Sequence, residues 1–82
     1  MTKLQIQRSN DYEAICAATR EWGGLKEPEL CAMLNLDERR VMLTVREFVK
    51  LGFLTINTTG EVVETAFGEV RREFHQATEG AV

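Results

Sequence analysis

The chain has 82 residues, 44% of them hydrophobic and 28% charged, with a formal net charge of −3 at pH 7. That length supports one hydrophobic core, so the chain reads as a single domain over 1–82. The apolar fraction excludes a disordered chain, and the acidic total excludes a uniformly basic one while leaving room for a local basic stripe.

Taken in chain order, Lys3-Leu4-Gln5-Ile6-Gln7-Arg8 alternates polar and apolar residues. Period two predicts a short strand or an extended arm over 1–8. A first helix is expected over about 10–22. Ser9, Asn10 or Asp11 would supply its N-cap, and Tyr12, Ile15, Cys16, Thr19 and Trp22 its inward face. Gly23-Gly24 ends it, because glycine accepts the left-handed conformation common past a helix. A second helix, about 27–35, starts near Pro28, which suits a first turn, and turns Leu30, Cys31 and Leu34 inward.

A third helix, about 37–51, follows Asp37 as N-cap and stops at Gly52. Val41, Val45, Phe48 and Val49 share its inward side. The period then changes to two. Residues 53–57 and 61–65 read as strands of a hairpin spanning 53–65, with Thr58-Thr59-Gly60 as the turn. A last helix is expected over 66–77, carrying the stripe Phe67, Val70, Phe74 and Ala77, although Gly68 inside it lowers its propensity. Residues 78–82 read as a flexible tail.

The segment from Glu29 to Leu54, ELCAMLNLDERRVMLTVREFVKLGFL, places two helices across a short turn. Leu30, Leu34, Leu36, Val41, Val45 and Phe48 would form their shared core. This order, with the step Leu51-Gly52-Phe53-Leu54 and the exit Thr65-Ala66-Phe67-Gly68, resembles the winged helix-turn-helix family of small bacterial, archaeal and phage transcriptional regulators. The resemblance covers roughly residues 10 to 75. It implies a mainly α, α+β fold of about four helices plus a two- or three-stranded wing sheet. It also implies that helix 37–51 enters the major groove of double-stranded DNA.

At 100° per residue, the side of that helix opposite the core carries Arg39, Leu43, Arg46 and Lys50. Three are basic and none is acidic. Arginine can grip phosphates or guanine edges, and Leu43 can meet a thymine methyl. Arg40 lies on the flank and joins the set of expected DNA contacts, as do Thr58 and Thr59 at the tip of the wing. That wing, Asn57 to Glu61, has no Lys or Arg. Met42 and Leu43 support a competing reading, since an exposed apolar pair marks a protein contact. In it the domain is a protein-interaction module without DNA binding.

Phe67, Val70 and Phe74 are expected at a homodimer interface, with the alternative that they close the monomer's own core. Cys16 and Cys31 match no zinc or redox spacing and read as small buried hydrophobes, with a disulfide switch as the alternative. His75 is the lone histidine and has no nucleophile or ligand partner by spacing. No catalysis, metal or cofactor is expected. No signal-like or membrane-spanning run is present in the sequence, so the expected compartment is the cytoplasm.

Overall fold

A computed structural model describes the backbone of residues 2–80 and the side chains of residues 2–74. It contains helices α1 (Lys3–Trp22), α2 (Glu27–Leu34), α3 (Glu38–Lys50) and α4 (Ala66–Gly80), with strands β1 (Leu54–Ile56) and β2 (Val62–Glu64) between α3 and α4. The strands pair antiparallel, Leu54 opposite Glu64 and Ile56 opposite Val62. Leu25, between α1 and α2, adds a one-residue antiparallel bridge to Val62. The fold is thus mainly helical with a small sheet, an α+β arrangement.

The largest departure from expectation is at the start. Residues 3–8 are neither strand nor arm; they are the first turns of α1. Thr2 Oγ1 accepts from the Gln5 amide at 3.2 Å, and Gln5 Oε1 accepts from the Thr2 amide at 2.8 Å. This reciprocal pair satisfies two donors that a bare helix end would leave open. Ser9, Asn10 and Asp11 are therefore mid-helix residues and not caps.

The remaining boundaries follow local chemistry. Gly23 sits at φ 76° after α1. Pro28 lies in the first turn of α2, where no amide is lost. Asp37 caps α3 by accepting from the Arg40 amide at 2.8 Å. At the other end of α3 the Phe53 amide reaches back to the Phe48 carbonyl at 2.9 Å and Gly52 to Val49 at 3.0 Å. That double closure needs a left-handed residue, and Gly52 supplies it at φ 84°. Thr65 caps α4, accepting from the Gly68 amide at 2.9 Å while donating to the Gly52 carbonyl at 2.6 Å. α4 runs three residues past the expected end at 77. The side chains of His75 and Ala77, and residues 81–82 of the expected tail, lie outside the described residues.

Ile15, Cys16, Leu30, Val41, Val45, Leu54 and Val62 form the fully buried centre, with Leu34, Leu36, Phe48 and Phe53 packed at its edge. Tyr12 stacks on Phe48 with ring centroids 4.1 Å apart. Two expected core residues are exposed. Trp22, 62% accessible, is the last residue of α1 and projects past the body that the helix packs against. Val49 lies about 80° around α3 from Val41, at the margin of the buried face. Thr44 is also fully buried, and its hydroxyl has no partner among the described residues.

Candidate functional site

The outward face of α3 takes its shape from α1. Because α1 begins at Lys3, its first two turns lie alongside α3, where Leu4, Gln7 and Arg8 share a shallow cleft with Arg39 and Leu43. Two ion pairs join the helices. Asp11 is buried and its carboxylate accepts from Arg40 Nε at 2.6 Å and Nη2 at 2.9 Å. This two-toothed geometry suits a guanidinium and raises the Arg40 pKa above its ordinary value. Further along, Arg8 Nη1 donates to Glu47 at 2.8 Å.

Arg40, expected on DNA, is therefore engaged within the molecule. Its guanidinium fork points at α1 and is not free for a ligand. Leu43 is half-buried and faces the start of α1. Met42 is likewise half-buried, so neither residue of the expected protein-binding pair stands fully in solvent. Arg39, Arg46 and Lys50 are exposed, and no ion pair engages them among the described residues. They stand on one strip, at spacings of seven and four.

The hairpin tip is closed on itself. Asn57 Oδ1 accepts from the Thr59 and Glu61 amides at 3.1 and 2.9 Å and lies 2.7 Å from the Thr59 hydroxyl. The Asn57 amide and the Thr59 hydroxyl both reach the Glu61 carboxylate, which they hold below its ordinary pKa. Thr59 is thus turned into the loop, while Thr58 stands exposed at the turn.

Behind the sheet, Glu64 of β2 gathers a polar cluster. Arg72 of α4 donates to it from Nε at 3.0 Å and Nη2 at 3.3 Å, and the Tyr12 hydroxyl donates at 3.3 Å. Burial pushes the Cys16 thiol up to about 12 and raises Tyr12 beyond its usual range. A thiol so shielded stays protonated and inert. Both cysteines are free, Cys16 buried and Cys31 partly so. No group of side chains that could hold a metal occurs among the described residues. No described helix is long and apolar enough to cross a membrane.

On α4, Phe67, Val70 and Phe74 are 56, 63 and 68% exposed. Beside them a groove of about 300 Å³ opens between α1 and α4, with Tyr12, Phe48 and Phe53 at its base. The pairing of Asp11 and Arg8 with α3 lies outside the sequence expectations. Its signal was present: Leu4, Arg8, Asp11 and Ile15 recur at spacings of four, three and four, a helical stripe with charges at two positions.

Comparison of the chain with protein-family models, with curated proteins and with solved structures finds no match.

Proposed function

We propose that this chain is a winged helix-turn-helix domain that binds double-stranded DNA through α3 and acts as a small transcriptional regulator. The element order supports the reading: α1, a bridge residue, α2, α3, then a hairpin whose second strand receives the bridge. In such a domain α2 braces α3, and the hairpin forms the wing.

The observation that carries the proposal is the strip Arg39, Arg46 and Lys50. Of the other charged residues of α3, Arg40 and Glu47 are engaged by α1, and Glu38 stands in the first turn at the positive end of the helix. The strip opposite the core is basic along its length, on a helix whose width fits a major groove. Phosphate contacts from such a strip supply affinity, and an arginine on a guanine edge supplies sequence preference.

The test is fluorescence anisotropy with duplexes selected from a random library, at low and moderate salt. The parent binds, and its log affinity falls with log salt. Replacing Arg39, Arg46 and Lys50 together by Ala abolishes selection and flattens that slope by roughly 0.9 for each phosphate no longer neutralised. Arg46→Ala alone costs about 1–3 kcal/mol and relaxes preference at one base pair. A folded triple variant that binds DNA as the parent does sinks the proposal.

A further inference from the structure

The structure points to a second occupant, independent of any nucleic acid. We propose that a second copy of this chain covers the face formed by α4 and the groove beside it, making a two-fold dimer.

Phe67, Val70 and Phe74 recur at spacings of three and four, so they share one strip of α4. Each is more than half exposed. Single exposed apolar residues are ordinary on a protein surface; here Phe67 also stacks on Phe53, with ring centroids 5.3 Å apart, so the strip carries the aromatic cluster out to the surface, and a contiguous strip of that kind marks a contact. The strip continues into the groove, whose base is the aromatic cluster of Tyr12, Phe48 and Phe53. At about 150–250 Å² per Phe, the strip alone offers on the order of 300 Å² of apolar surface. A stable interface covers about 800 Å² per partner, so the strip supplies under half of one and the groove walls must supply the rest.

The charges at the rim decide the occupant. Glu13 stands on the α1 wall and Arg71 on the α4 wall; both are exposed, and no ion pair engages either among the described residues. A patch with one acid and one base on opposite walls is complementary to itself. A two-fold operation sets Arg71 of each copy against Glu13 of the other while the two α4 strips close over the grooves. A small ligand filling the groove would leave Phe67 and Val70 in water. A polyanion would meet Glu13 as well as Arg71 and would leave the strip in water.

Sedimentation equilibrium of the full chain, from low micromolar to submillimolar concentration, tests this. The parent shows a reversible rise to twice the monomer mass. Val70→Glu raises the dimer dissociation constant by about 30-fold or more, as removal of a central anchor does, with an unchanged circular dichroism spectrum. Glu13→Arg and Arg71→Glu each weaken the dimer several-fold, and the two together restore it. A parent that remains monomeric throughout overturns the proposal. So does a Val70→Glu variant that dimerises like the parent, or a double charge reversal no tighter than either single one.

Discussion

Gly68 shows how one missing methyl can fix the placement of a helix. As a residue in the first turn of α4 it lowers helix propensity, by about 1 kcal/mol relative to Ala. The structure accounts for it. A β-carbon there would fall inside contact distance of the Phe53 carbonyl oxygen and 2.9 Å from the Phe53 α-carbon. Those are backbone atoms, and Phe53 is held by its amide to Phe48 and by its carbonyl to Thr65. The collision cannot be relieved by rotating a side chain. Gly68→Ala therefore destabilises, by about 2 kcal/mol net of the propensity gain. Urea denaturation checks this; a variant as stable as the parent or more so would show that α4 can move off the Phe53 backbone freely.

At the scale of elements, the first half of α1 is held by side chains and not by core burial. Residues 3–10 include no fully buried position, and Asp11 is the first of them. Asp11→Ala removes the acceptor of the Arg40 fork. The expected outcome is faster amide exchange over residues 4–9 with protection at Ile15–Thr19 unchanged, read by NMR. Uniform loss across α1 would mean that the helix unfolds as one unit.

The same element is the part of the fold least legible in the sequence. α2, α3 and the hairpin were legible because each carries its own punctuation: Pro28, Asp37, Gly52 and Gly60. Leu30, Val41 and Val45 also repeat with a helical period. Residues 3–8 offered two apolar side chains, whose alternation mimics a strand. The pattern Thr2-x-x-Gln5 was the better guide, since it closes a helix start whatever follows. Of the candidate site, the strip Arg39, Arg46 and Lys50 follows from helical angle alone. The capture of Arg40 by Asp11 does not, because it depends on where a helix 29 residues earlier passes.

At the scale of the whole molecule, one buried ion pair ties the sheet to α4. The Glu64 and Arg72 side chains are 8 and 7% exposed. Burial would raise the Glu64 carboxyl, but the Arg72 guanidinium, with help from the Cys16 thiol and the Tyr12 hydroxyl, holds it below its ordinary value. A carboxylate with a lower pKa folded than unfolded adds stability that is whole above the unfolded value of about 4.3 and is lost as pH falls through the folded value. The urea midpoint should therefore lose this contribution below about pH 4. Arg72→Met strands the Glu64 charge and costs about 3 kcal/mol at neutral pH; with burial then dominant the Glu64 carboxyl rises above its unfolded value, so part of that cost is relieved as pH falls. Glu64→Leu combined with Arg72→Met recovers most of that stability and shows a shallower acid limb. Coincident acid limbs in the parent and the double variant would remove Glu64 from the account. A different consequence attends the pairing of Arg8 with Glu47 and of Asp11 with Arg40. Folding sorts charges that are interspersed along the chain, cancelling two on the flank of α3 and leaving three cations along its crest. α3 thereby carries a local cationic strip that the net charge of −3 conceals. Because exposed charges are screened beyond about 8–10 Å, a charged surface brought up to α3 would feel that strip rather than the total only at close range.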